Sequence, residues 1–272
     1  MLIKTSILLV THSIASMSTK AASSTLPQYS IQHNIQRILS QPTQHKQWPF
    51  TPKDLRRADE TSDQHWYSQP RFVTHIDDQC IQALSNVYFQ VFQDNDSVLD
   101  LCSSWISHFP VNQPSLSNVV GLGMNEQELA RNPILNSFVV KDLNLEPKLP
   151  FEDNSFDKIT NAVSVDYLSK PQEIFVEMHR VLKPGGLAIM AWSNRMFPTK
   201  VVDMWLKVSE EERVKIVQSY FLLCGAPFVD VVGYQMVTLG TDPLYVVVGR
   251  KRTQQEEKEF IILKVEDDKS SL

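Results

Sequence analysis

The chain has 272 residues, 42% of them hydrophobic, with 26 Lys and Arg against 31 Asp and Glu for a formal net charge of -5. That is apolar material for one α/β domain with extensions, not a coiled coil or a repeat array, and the mild acidity argues against a chain built mainly to grip nucleic acid. Three widely spaced cysteines, Cys80, Cys102 and Cys224, exclude a zinc site or a disulfide framework, and no run reaches the roughly 20 apolar residues of a membrane span.

Before Asp54 there is no acid, while Lys4, Lys20, Arg37 and Lys46 stand among many Ser, Thr and Gln. Such a composition fits an organellar transit peptide, and its poverty in Arg leans toward a plastid. The alternative is an unstructured N-terminus of a cytoplasmic protein, with Met17 as a second possible start. Gln41 to Pro52, carrying Pro42, Pro49 and Pro52, reads as a linker. Residues 1–58 are therefore expected to be flexible, 59–250 to form the domain, and 251–272 to be a charged, solvated tail.

Trp66-Tyr67-Ser68-Gln69-Pro70-Arg71-Phe72 is aromatic but too irregular for a strand, and reads either as a packing flap or as a lid over a ligand. A helix follows from about His75, with acids in its first turn and Ile76, Cys80, Leu84, Tyr88 and Val91 at helical spacing. Ser97 to Leu101 is a buried strand that ends on Asp100 and turns at once into Cys102-Ser103-Ser104-Trp105. A carboxylate there is a ligand position in open α/β sheets. Trp105 to Phe109 allows a short helix before Pro110. Ser117 to Leu122 is a second strand, and Asn125 with Glu128 predicts a capping box for a helix over Glu126 to Arg131.

Phe138 to Val140 gives a third strand, ending at Lys141-Asp142, and Ser155 to Val163 a fourth. Pro171 opens a helix with Ile174, Phe175, Met178, Val181 and Leu182 on its apolar face. Pro184-Gly185-Gly186 releases a fifth strand, Leu187 to Trp192. Ser209 and Glu212 form a second capping box for a helix to about Leu223. Phe228 to Leu239 and Leu244 to Val248 form a closing hairpin. The alternation predicts a three-layer α/β sandwich.

Asp100, Asp142, the run Pro150-Phe151-Glu152-Asp153-Asn154-Ser155-Phe156-Asp157 and Arg180-Val181-Leu182-Lys183-Pro184-Gly185-Gly186 together resemble the class I S-adenosylmethionine-dependent methyltransferases, type 11 domain, over residues 60 to 250. The local wording is similar to a bacterial and plastid subgroup whose first motif ends in Ser-Ser-Trp. The resemblance implies a Rossmann-like sandwich with a seven-stranded, mostly parallel sheet whose last strand, in the C-terminal hairpin, is antiparallel. It also implies S-adenosylmethionine as cofactor and a small-molecule methyl acceptor, with no nucleic-acid partner.

Carried over by position, Asp100 anchors the methionine end of the cofactor and Cys102, Ser103 and Ser104 line it. Asp142 accepts from the adenine amino group with Leu143 beside it, and Asn161, Ala162 and Ser164 form a floor under the sulfonium. Each has a structural alternative: Asp100 capping its own turn, Asp142 as a loop acid, Asn161 satisfying strand-end backbone. Two departures stand out. The usual glycines of the turn are Cys and Ser, and Gly123 replaces the acid that grips the ribose, leaving Asn125 or Glu126 to compensate. Tyr67, Tyr167 and Asn194 fall on the acceptor side, next to Arg195. His108 is the candidate base, ahead of His75, Asp166 and Tyr167, and Trp105 is a candidate cation–π face for the sulfonium. The competing expectation is a non-catalytic protein on this fold that holds a nucleotide-like ligand or a protein partner.

Overall fold

The structure, a computed structural model, describes residues 35–38, 47–112, 114–226 and 228–259. Its strands are β1 (Ile35–Ile38), β2 (Ser97–Ser103), β3 (Asn118–Gly123), β4 (Ser137–Val140), β5 (Phe156–Ala162), β6 (Leu182–Trp192), β7 (Val229–Met236) and β8 (Leu244–Arg250). The helices are α1 (Asp63–Trp66), α2 (Asp78–Val91), α3 (Glu126–Arg131), α4 (Pro171–Val181) and α5 (Glu210–Leu223). One sheet carries all the strands in the order β1-β7-β8-β6-β5-β2-β3-β4. β2 to β6 pair in parallel, while β8 runs antiparallel to both β6 and β7. The expected seven strands are thus β2 to β8, and β1 adds an eighth, antiparallel to β7.

β2 lies between β5 and β3, and six of its seven residues are buried, Val98, Leu99 and Leu101 among them, as a strand covered on both faces requires. Successive residues serve opposite layers. Val98 packs with Cys80, Leu84 and Tyr88 of α2, whereas Leu99 and Leu101 pack with Ile174 and Phe175 of α4 and Val217 of α5. Each buried aliphatic side chain contributes about 1.5–3 kcal/mol. The helices start where side chains satisfy their free N–H groups. Asp77 accepts from the Cys80 amide at 2.8 Å, and Ser209 and Glu212 complete a reciprocal capping box.

Three expectations need correction. At α3 the box is one-sided: Asn125 accepts from Gln127 and Glu128, but the Glu128 carboxylate is drawn elsewhere. Trp105 to Phe109 is not helical, because side-chain hydrogen bonds compete for the chain there. Ser103 and Ser107 donate to Asp100, Asn132 binds the Ser104 carbonyl and Ser107, and His108 is pulled to φ 57°. The domain also starts before Asp59. Trp48 stacks on Tyr220 (5.6 Å between centroids), Phe50 meets the same ring edge-on, and Arg57 bridges to Val202. The start of the tail is docked through Arg250–Glu256 at 2.7 Å. The transit-peptide reading falls on residues that lie, β1 apart, outside the described ones.

From β2 the chain moves to β3 and β4 on one side, then crosses to β5 and β6 on the other. The strand order reverses there, and a crevice opens beyond the carboxyl ends of β2 and β5.

Candidate functional site

A cavity of ≈ 320 Å³ occupies that crevice, a size in the range of small-molecule sites. Asp100, Cys102, Ser103, Ser104, Gly123, Asn125, Asp142, Leu143, Ala162 and Ser164 line it, together with Tyr67, Tyr167 and His108. Two of the expected residues do not. Asn161 is fully buried between strands, its amide donating to the Leu101 carbonyl at 3.0 Å and its Oδ1 left without a partner. Asn194 points outward, and Arg195, Met196 and Phe197 take its place on the wall. Trp105 does not face the cavity either: its indole N–H binds the Val73 carbonyl and its ring meets Phe72 edge-on.

Asp100 is sealed. Its Oδ2 accepts from Ser103 (2.6 Å) and Ser107 (2.7 Å), and its Oδ1 from Thr160 (2.8 Å). Burial pushes its carboxyl above the usual range, and the three hydroxyls only partly oppose this. The carboxylate thus caps its own turn, and one lone-pair site on Oδ1 stays open. Asp142 is different. Its Oδ1 receives the amides of Asn144 (2.9 Å) and Leu145 (3.1 Å), whereas its Oδ2 takes no donor among the described residues.

The turn after β2 adopts the shape a glycine would give it. Cys102 sits at φ 59°, in the left-handed region, and shifts the register so that Ser103 rather than Cys102 pairs with Gly123. A Cβ on Gly123 would lie 2.1 Å from the Ser103 carbonyl oxygen, so no acid fits at the end of β3. Asn125 does not compensate, since its Oδ1 caps α3 and its Nδ2 binds the Tyr67 carbonyl; Glu126 is exposed and off the wall. Cys102, His108 and Val163 all take positive φ at this one cavity. For Val163, β-branched, that is real strain, of the kind that gathers at binding sites.

The roof comes from the segment before α2. Tyr67 lines the cavity, and burial raises its hydroxyl well above the usual phenol range. Its partner on the acceptor side, the Tyr167 hydroxyl, is engaged by the Phe197 amide at 2.9 Å. Arg71 lines the cavity, and its own amide is held by Glu128 Oε1 at 2.6 Å, while Glu128 Oε2 holds the Ser104 hydroxyl at 2.7 Å. Burial lowers the His108 imidazole to about 4, so it is neutral at pH 7, and raises the Cys102 thiol to about 12, so it is not a nucleophile there. Sequence reasoning missed Arg71 and Glu128 as wall residues. The signal was present: an Arg after an aromatic pair, and an acid on a short helix beside the turn.

Residues 101–190 match the family model described as "Methyltransferase domain". The chain is similar to 24-methylenesterol C-methyltransferase 2 of Arabidopsis thaliana, 30% identical over 38% of this chain and 28% of that one. It is similar to 2-methyl-6-phytyl-1,4-hydroquinone methyltransferase 2, chloroplastic, of Oryza sativa subsp. japonica, 37% identical over 24% and 19%. A ubiquinone/menaquinone biosynthesis C-methyltransferase of Brucella canis is 33% identical over 31% and 32%. The matches span less than a third of each relative's length.

Proposed function

We propose that this chain is an S-adenosylmethionine-dependent methyltransferase acting on a small-molecule acceptor, in the Ser-Ser-Trp variant of the type 11 group. The observation that carries the reading is Asp142. It lines the same cavity as the turn after β2, and its Oδ2 takes no donor among the described residues. The methyltransferase-domain match over residues 101–190 covers both.

The residues present fit the cofactor in part. Asp142 Oδ2 would accept from the adenine amino group, with Leu143 beside it on the wall. Asp100, Cys102, Ser103 and Ser104 bound the amino-acid end, and Ala162 and Ser164 the floor. The ribose meets Gly123 and Asn125 without a charged grip. When bound, the cofactor supplies an electrophilic methyl group for in-line displacement at its sulfonium. The protein's work is to orient the acceptor and exclude water, which accounts for a large share of the rate in two-reactant chemistry. Val73, Ile106, Met196 and Phe197 give the acceptor side an apolar wall. His108 lines the cavity, and its buried Nδ1 has no partner among the described residues, which makes it the candidate to take a proton from a hydroxyl, amine or carbon acid. The relatives named for sterol, quinol and quinone methylation support an apolar acceptor. The acid-free stretch before Asp54 supports a plastid or other organelle address. Among the described residues no helix is long and apolar enough to cross a membrane.

The test is calorimetric titration with S-adenosylhomocysteine of the wild type and Asp142→Asn, which keeps an Oδ1 for the turn amides and turns a donor toward the base. Loss of a charged hydrogen bond is worth about 1.5–3 kcal/mol, so affinity should fall roughly 10–100-fold at unchanged Tm. Absence of binding to the wild type refutes the reading. One observation favours a second reading, a non-catalytic protein on this fold: Asp100 is closed by three hydroxyls of its own chain. Binding without methyl transfer to any acceptor in an apolar extract would support it.

A further inference from the structure

We propose that Arg71, in the roof segment rather than in the turn after β2, receives the carboxylate of the cofactor's amino-acid end. The proposal rests on the methyltransferase reading. Three cationic side chains other than histidine line the cavity. Lys141 is engaged by Glu146 at 2.7 Å and Arg195 by Asp242 at 2.8 Å. Arg71 has no carboxylate within 4.0 Å among the described residues; its Nη2 donates to the Trp66 carbonyl at 2.9 Å and its Nη1 is buried without an acceptor. A charged donor held out of water without a partner is a place where a ligand completes the hydrogen bonding.

The guanidinium is also held in place. It lies 5.1 Å from the Trp66 ring and 5.9 Å from the Tyr67 ring, and its planar fork matches a carboxylate. Glu128 ties the Arg71 backbone to Ser104, so Arg71 is anchored to the turn that would hold the amino-acid end, on the wall of the same cavity. That end is a zwitterion and needs one site of each sign. Glu128, 7% exposed with one donor on each oxygen, is open to the ammonium, and Arg71 to the carboxylate. The altered turn explains why the anion site moves. The Ser103 and Ser107 hydroxyls are spent on Asp100 and the Ser104 hydroxyl on Glu128, so the side chains of the loop have few donors to spare.

The experiment compares S-adenosylmethionine with its decarboxylated form, which keeps base, ribose, sulfonium and amine. Both are titrated calorimetrically into the full chain as wild type, Arg71→Gln and Arg71→Lys. The wild type should prefer the carboxylated form by about 10–100-fold. Arg71→Gln should abolish that preference while its affinity for the decarboxylated form stays within about threefold, and Arg71→Lys should restore part of it. The tie to Glu128 uses the backbone amide and survives either substitution. A preference that persists in Arg71→Gln, or is absent from the wild type, overturns the assignment. If the wild type binds both ligands equally, only Arg71 loses its role; if it binds neither, the methyltransferase reading falls with it.

Discussion

The carbonyl oxygen of Ser103 stands over the α-carbon of Gly123, only 2.1 Å from where a β-carbon would sit. The register shift between Leu101 and Ser103 creates this approach, so the first turn dictates the residue at the end of the second parallel strand. Gly123→Ala should destabilise the protein by about 1–3 kcal/mol, as overpacking does. Gly123→Asp should cost at least as much and should not tighten S-adenosylhomocysteine binding, although it restores a ribose acid in sequence. Urea unfolding and calorimetry check both. A Gly123→Asp protein that folds normally and binds more tightly would show that the loop yields.

Cys102 at φ 59° supplies the complementary substitution. A left-handed residue with a β-carbon costs about 1–2 kcal/mol, and glycine loses about 0.5–1 kcal/mol more backbone entropy on folding. Cys102→Gly is therefore expected to be neutral to about 1 kcal/mol stabilising, raising Tm by up to roughly 4 °C. The thiol packs against the core beside the cavity, so its loss offsets part of that gain. A fall in Tm of several degrees in a thermal melt would show that the cysteine side chain, not the turn shape, is what the fold needs.

The layers were legible because burial writes a period into the sequence. Val98, Leu99 and Leu101 announce a strand covered on both sides, Ser209 and Pro171 mark helix starts that the structure reproduces, and α2 starts at Asp78 behind an Asp77 cap, three residues after the expected His75. The site was legible at and just after its strand ends, around Asp100, Asp142 and Ala162, where topology forces side chains into the crevice. The roof segment could be read as a lid, but its fastening could not, because Arg71 and Glu128 meet through a backbone amide 57 residues apart, with no periodicity to reveal it. Asn161 was misplaced by one pleat: its neighbour Ala162 reaches the cavity while its own amide turns to the Leu101 carbonyl.

Asp166 gives a pH test. It lies buried behind the cavity near Arg213, Tyr167 and Tyr220, and burial raises its carboxyl from 3.8 to about 7. The folded state then holds a proton that the unfolded chain releases, so the stabilisation is present below pH 4 and is lost as pH rises toward 7. The displacement corresponds to roughly 4 kcal/mol at most. His108, lowered to about 4, works in the opposite direction, adding stability as pH rises from about 4 to 6.5. The two slopes oppose each other in the wild type. Asp166→Asn should unmask the histidine, so that its urea-derived stability climbs across that window. A pH profile parallel to the wild type would mean that Asp166 is ionised in the fold.

Asp63 is expected to be the residue on which the roof depends. It is 5% exposed and takes Arg57 Nη1 on both oxygens (2.8 and 2.7 Å), the Asn144 amide at 2.9 Å and Lys200 at 3.3 Å. Lys200, 1% exposed, is held further by the Thr61 carbonyl at 2.8 Å and Asp59 at 3.2 Å. Asp63→Ala leaves two buried cations short of their shared carboxylate, a loss of about 3–5 kcal/mol for a broken buried pair. The strain falls on the segment carrying Tyr67 and Arg71, because Arg57 and Lys200 join it to the chain after β6. Hydrogen exchange should therefore speed up over residues 55–75 more than in β2 or β5, with cofactor affinity falling in parallel. Uniform acceleration through the sheet would instead make Asp63 a general stability residue and leave the roof without its own fastening.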